Sequence, residues 1–240
     1  MKVTYIYHSG FLVETEQCYY VFDYYQGELP ELDVEKPIIV FASHAHPDHY
    51  NKKIFTLLKD CGMKHVTAVL SKDISSRKYP DGDVDARRVT WNQTYGLPCE
   101  TTLYTFHSTD AGVAFLVVGG EGIIYHAGDL NDWVWEGEPE QDNRQMTGSY
   151  RHEIQNLAVI LADDLRGAEV DVAFLPMDPR QEERYADGIL YFLKKIKVKE
   201  VYPMHFWRQP QIIEKFCTEH PEYRDAINRQ PFFGAEEGNE

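Results

Sequence analysis

A chain of 240 residues with 43% apolar and 13% aromatic residues can bury a sizeable core without disulfides or a partner. Its net charge of −15 works against nucleic acid, whose binding draws on Lys and Arg facing phosphates, and points instead to a small-molecule substrate. The longest apolar runs fall short of the roughly 20 residues a bilayer span needs, so no membrane insertion is expected, and Cys18, Cys61, Cys99 and Cys217 form no Cys-x-x-Cys pair, which suits reduced thiols in the cytoplasm.

The N-terminus alternates like a strand and lacks the regions of a signal peptide. Val3 to Tyr7, Phe11 to Thr15 and Tyr19 to Phe22 read as a β-meander, and Pro30 and Pro37 bracket an acidic loop before a strand at 38 to 42. Asn51 to Asp60 places Ile54, Phe55, Leu57 and Leu58 on a helical stripe that stops at Gly62. Val66 to Leu70, Thr101 to Phe106, Val113 to Val118 and Ile123 to Ala127 read as strands, the last two joined as a hairpin through Gly119 to Gly122. Residues 130 to 150 read as an irregular functional loop. From 151 the pattern alternates: a helix carrying Ile154, Leu157, Ala158, Leu161 and Leu165, a strand at 170 to 175, a helix around 188 to 196 and a strand at 198 to 204. A single domain over 1–240 is expected, with a loosely held tail from about 218 that includes Pro221, Pro231 and the Gly234 to Gly238 segment.

Residues 44 to 49, His-Ala-His-Pro-Asp-His, put three imidazoles and a carboxylate into six positions directly after an apolar strand. Neutral imidazole and carboxylate hold borderline divalent metals, and a packed core has no use for four of them side by side. His44 and His46 leave the same face of an extended segment and can close on one ion, whereas Pro47 turns the chain and aims Asp48 and His49 toward a second. Further ligands are available at strand ends: His107, Asp129 and His205.

In order and approximate spacing, His44-x-His46-x-Asp48-His49, a downstream His, Gly128-Asp129 and a late His205 resemble the metal-ligand series of the metallo-β-lactamase superfamily. Tyr7 to Phe11 and Leu175-Pro176-Met177-Asp178 are similar to segments of the branch that includes ascorbate-6-phosphate lactonase and N-acyl-phosphatidylethanolamine phospholipase D. The resemblance implies an α/β fold (α+β in some schemes), a four-layer αβ/βα sandwich with two divalent ions between its sheets. It implies His44, His46 and a third His on one ion, Asp48, His49 and His205 on the other, and Asp129 bridging, with a metal-bound hydroxide as nucleophile. The chain departs from the pattern in two places. Counting back from Phe115, the third His falls on Ser108, one place past His107, so His107, Ser108, Asp110 or water completes that site; and Tyr7 stands where relatives of that branch commonly carry Gly.

His8 and His126 are candidates to orient ligands, Trp133, Trp135 and Phe206 to line a cleft, and Arg180, with Arg144, Arg151, Arg184 and Arg208, to meet a phosphate or carboxylate; Asp178 lies in the segment shared with the lactonase-like branch. The function expected is a hydrolase that uses zinc, or manganese or iron, on a small anionic ester, lactone or phosphodiester, with Asp48 and Asp129 central to catalysis. The alternatives are a metal-poor binding or scaffold module of the same fold and, with His46 standing against it, a di-iron redox protein. Nothing in the chain decides oligomeric state.

Overall fold

The computed structural model describes residues 1–82 and 84–229. Among these residues the chain builds two six-stranded sheets. The first contains β1 (Lys2–Tyr7), β2 (Gly10–Glu14), β3 (Tyr19–Phe22), β4 (Ile38–Ala42), β5 (Val66–Ser71) and β6 (Asp85–Val89) in that spatial order; β1 to β3 form an antiparallel meander and β3 to β6 run parallel. The second contains β12 (Val198–Met204), β11 (Val170–Pro176), β10 (Gly122–His126), β9 (Val113–Gly119), β8 (Thr101–His107) and β7 (Thr94–Leu97), antiparallel from β7 to β10 and parallel from β10 to β12.

Strand alternation makes the layers. In β2 to β4 one set of side chains, Phe11, Val13, Tyr20, Phe22, Ile39 and Phe41, joins residues of the second sheet in the core, where Phe11 meets Phe174 at 4.2 Å and Phe41 meets Phe115 at 5.3 Å between ring centroids. The opposite set, Leu12, Tyr19, Val21, Ile38, Val40 and Ala42, packs under α1 (Lys53–Asp60) through Ile54, Phe55 and Leu58. Burial of each such helix side chain contributes about 1.5–3 kcal/mol. α2 (Glu140–Asp163) and α3 (Asp187–Lys195) pack on β8 and β11 of the second sheet, and α4 (Gln211–Glu219) buries Ile212, Ile213, Phe216 and Cys217. The result is the expected αβ/βα sandwich.

Three local expectations are corrected, and three elements are added. α1 starts at Lys53 rather than Asn51, because the Asn51 carboxamide oxygen accepts the Lys53 N–H at 3.0 Å and so sits ahead of the helix. The segment expected to be irregular to residue 150 turns helical at Glu140, behind Pro139; the first turns of α2 are exposed and polar and carry no apolar stripe, while Glu140 and Asp142 favour its N-terminus. β6, β7 and α4 were not anticipated; β6 and β7 are sheet edges, largely exposed and poor in apolar alternation. Residues 218–229, expected within a loose tail, are held: Ile227 is buried and bridges Val201, and the Val201 and Asn228 N–H groups bond to Ala226 and Val201 carbonyls. The rest of that tail, with Pro231 and Gly234 to Gly238, lies outside the described residues. No described helix is long and apolar enough to cross a membrane.

Candidate metal centre

The C-terminal ends of β3, β4, β8, β10, β11 and β12 deliver Asp23, His44 to His49, Asp110, Asp129, Asp178 and His205 to one edge of the sandwich. After β4, the His49 and Tyr50 N–H groups both bond to the His46 carbonyl, closing the turn that Pro47 opens. Gly112 (φ +68°) and Gly128 (φ +52°) press against the start of this loop. A Cβ on Gly112 would stand 2.0 Å from the Ser43 carbonyl oxygen, and one on Gly128 2.7 Å from Ser43 Cβ, so only glycine fits either place. His8, Asp23 and His205 also adopt positive φ, so the cluster includes strained backbone.

Asp129 is the centre of the constellation. Its Oδ2 lies 3.3 Å from His44 Nε2, and its Oδ1 lies 3.1 Å from His49 Nε2 and 3.5 Å from His205 Nε2. His44 Nε2 is in turn 2.9 Å from His46 Nδ1, which is 3.7 Å from Asp110 Oδ2. On the other side, Asp48 Oδ2 is 3.5 Å from His8 Nε2, and His8, Asp48, His49 and His205 offer ligand atoms within 4.8 Å of one another. Two neighbouring ligand groups therefore meet through one carboxylate.

The surrounding hydrogen bonds orient these rings. Asp23, fully buried, accepts the Ser43 N–H at 2.7 Å, the Ser43 hydroxyl at 2.6 Å and His49 Nδ1 at 2.7 Å; Ser43 Oγ is 2.9 Å from His44 Nδ1. Asp178, also fully buried, accepts His205 Nδ1 at 2.9 Å and Trp207 Nε1 at 3.1 Å and pairs with Arg180. A ring nitrogen that donates to a carboxylate leaves the opposite nitrogen free to ligate. Burial pushes the Asp23 and Asp129 carboxyls up, yet the charges of the histidines around them outweigh it and hold both below the usual range, Asp129 well below. Burial pushes His49 down, but Asp129 and Asp23 on either side raise it well above its ordinary value. His8 is kept low by burial, against the pull of Asp48.

Buried His49 Nε2 and Asp129 Oδ1 make no hydrogen bond, and neither does His8 Nε2. These atoms face one another as charge partners, His49 Nε2 and Asp129 Oδ1 at 3.1 Å and His8 Nε2 and Asp48 Oδ2 at 3.5 Å, without hydrogen-bond geometry, and a cluster made only of imidazole nitrogens and carboxylate oxygens fits divalent ions. His44, His46, Asp48, His49, Asp129 and His205 are brought together, with His8 beside Asp48.

His107 is not brought in, contrary to its candidacy. Phe106 points into the core, so His107, one residue on, faces the other way: it is exposed, stands edge-on to Trp91 at 4.6 Å and donates its N–H to Glu153. Ser108 is buried and its hydroxyl accepts the Asp110 N–H, while Asp110 turns back toward His46. Trp133 is buried and donates to the Asp129 carbonyl at 2.8 Å, which pins that loop, and Phe206 is buried against Tyr5. His126 accepts the Gly128 N–H and bonds to the Ser9 carbonyl, shaping the turn before Asp129. Arg144 and Arg184 pair along their own segments and Arg151 lies over Tyr191, whereas Arg180 stacks on Trp207 at 4.5 Å and Arg208 donates to Tyr7 Oη at 2.7 Å. Tyr7, Arg208, Trp207, Tyr5, Tyr25, His8 and Asp48 line a cavity of about 270 Å³. Asp23 was missed, although its place directly after a buried strand, parallel and adjacent to β4, was a usable signal.

Residues 2–140 match the family model described as a β-lactamase superfamily domain. No curated protein matches the chain. Among solved structures, the chain is similar to Igni18, a novel metallo hydrolase from the archaeon Ignicoccus hospitalis, at a TM-score of 0.62 and 17% identity over 94% of this chain and 93% of that one. It is also similar to CmlA, a diiron β-hydroxylase from Streptomyces venezuelae, at a TM-score of 0.62 and 12% identity over 94% of this chain; it spans about half of that chain, 52%. At these identities the likeness is one of fold.

Proposed function

Because the chain belongs to the β-lactamase superfamily, we propose that it is a metal-dependent hydrolase acting in the cytoplasm on a small anionic ester, lactone or phosphodiester. The observation that carries this reading is the position of Asp129, whose two oxygens face His44 on one side and His49 and His205 on the other, with buried nitrogen and oxygen atoms left without hydrogen-bond partners. A metal-poor scaffold gains nothing from such orphaned atoms, so they weigh against that alternative.

His44 and His46 would hold one ion, Asp48, His49 and His205 the other, and Asp129 both. Divalent ions there supply Lewis acidity, lowering the pKa of water toward about 7 and offsetting charge on an oxyanion. Asp23 and Asp178 keep His49 and His205 turned with Nε2 inward. His8, pushed toward its neutral form by burial, presents Nε2 at the cavity beside Asp48, placed to take up a proton. Arg208, which lines the cavity with Trp207, meets an anionic substrate group, and the small cavity suits a small molecule rather than a polymer.

The test is hydrolysis of a panel of lactones, thioesters and phosphodiesters by metal-loaded protein beside His46→Ala. Turnover that falls with the substitution supports the reading; no turnover on any of them, or turnover indifferent to His46, overturns it.

A further inference from the structure

We propose that Asp110 is a metal ligand, closing the first position with His44, His46 and Asp129, and that this third carboxylate of the centre shifts its preference from zinc toward manganese. The inference rests on the metal-centre reading and adds to it a ligand and a class of cofactor.

The geometry is specific. Asp110 Oδ2 lies 3.7 Å from His46 Nδ1, and His46, Asp110 and Asp129 present ligand atoms within 4.8 Å of one another. His44 Nε2, grouped with His49 and Asp129, adjoins this trio at 2.9 Å from His46 Nδ1 and 3.3 Å from Asp129 Oδ2. Asp129 is itself buried, with Oδ1 lacking any hydrogen bond. Asp110 pairs with no Lys or Arg among the described residues, so its charge has no other local use.

The turn that carries Asp110 is built to hold it there. Ser108 Oγ accepts the Asp110 N–H, and the neighbouring Thr109 hydroxyl donates to the Asn131 carbonyl at 2.6 Å and accepts the Asn131 N–H at 3.0 Å, clamping the turn to the loop of Asp129. Gly112 seats the other end under Ser43 and His44, where no Cβ fits. These contacts fix the turn between the two loops that carry the other ligands. Ser108 cannot stand in, because it is buried with its hydroxyl engaged within the turn, and His107 points to the opposite face.

With Asp110, both positions carry two imidazoles and two carboxylates, Asp129 being shared, and His8 stands beside the second. An imidazole at the first position would leave two carboxylates across the centre instead of three. Carboxylate oxygen is the harder donor and suits manganese, whereas imidazole suits zinc and iron, so replacing imidazole by carboxylate lowers the advantage of zinc.

The test equilibrates metal-free protein with zinc, manganese or anaerobic iron(II), singly and in competition, and reads ions per chain and affinity by elemental analysis in wild type, Asp110→Ala and Asp110→His, with circular dichroism to confirm the fold. Wild type is expected to take two ions. Asp110→Ala is expected to keep one and bind the other at least about tenfold more weakly, since even loss of a group that only supports a ligand costs 10–100-fold. Asp110→His is expected to recover the second ion with a zinc-over-manganese ratio above that of wild type. Two ions held by Asp110→Ala with wild-type affinity would show that Asp110 is a bystander, and an unchanged ratio in Asp110→His overturns the metal preference. A wild-type chain that takes no ion overturns the metal-centre reading and, with it, this one.

Discussion

Asp23→Asn changes one oxygen to an amide in a fully buried site, yet its effect should be felt at both metal positions. Asp23 accepts the Ser43 N–H through Oδ1 and both the Ser43 hydroxyl and His49 Nδ1 through Oδ2. Because Asp23 only accepts, His49 keeps a proton on Nδ1, so the nitrogen that gives its lone pair to a bound ion is Nε2. The Ser43 hydroxyl, donating to Asp23, accepts from His44 Nδ1 at 2.9 Å and so leaves His44 Nε2 free as well. An Asn whose oxygen keeps the Ser43 N–H must point its NH₂ at His49 Nδ1 and Ser43 Oγ. Both chains of protons then reverse, and each Nε2 acquires a hydrogen where a lone pair is needed. Loss of such supporting partners costs 10–100-fold in metal affinity, about 1.4–2.8 kcal/mol per ion. Calorimetric titration of zinc and manganese into metal-free protein measures it, with the melting curve as a control for folding. Wild-type affinity for both ions in a folded Asp23→Asn protein would refute the reasoning.

Gly112→Ala forces a Cβ to 2.0 Å from the Ser43 carbonyl oxygen at φ +68°, so a loss of about 2–5 kcal/mol by urea unfolding is expected, from overpacking plus left-handed strain; a change under about 1 kcal/mol would contradict the packing described. His107→Ala, which trims only the contact with Trp91, is expected to leave metal content unchanged by elemental analysis, and loss of an ion would return His107 to the centre. Burial pushes the Asp178 carboxyl up, but hydrogen bonds from His205 and Arg180 outweigh it and hold it at about 2, below the ordinary 3.8. A depressed carboxyl stabilises the fold above its unfolded value and loses that contribution as pH falls through the folded one, so the stability gap between wild type and Asp178→Asn, both metal-free, should narrow between pH 3.8 and about 2. A gap constant across that window counts against the pairing.

The parts of this molecule legible from sequence are those whose physical cause is local. His44 to His49 stand within six residues, and the buried strands before Asp129 and His205 mark where each ligand emerges. The edge strands β6 and β7 hid because one face of each meets solvent and their partners lie elsewhere in the chain. The first turns of α2 hid because they bury almost nothing. Asp23 hid for a deeper reason: a carboxylate reads as surface until the partners that justify its burial, 20 and 26 residues away, are placed beside it. The question left by His107, Ser108 and Asp110 turned on strand alternation followed by a tight turn, and a turn can reverse a side chain in a way that spacing alone does not reveal.

The most direct measurement is anomalous X-ray scattering from crystals loaded with manganese or zinc, recorded at the metal edge. Two peaks are expected, both in contact with Asp129: one bound by His44, His46 and Asp110, the other by Asp48, His49 and His205, at roughly 2.0–2.2 Å from nitrogen and oxygen ligands. A protein that shows no peak there, or a single peak that Asp129 does not touch, would contradict a binuclear centre built on that carboxylate.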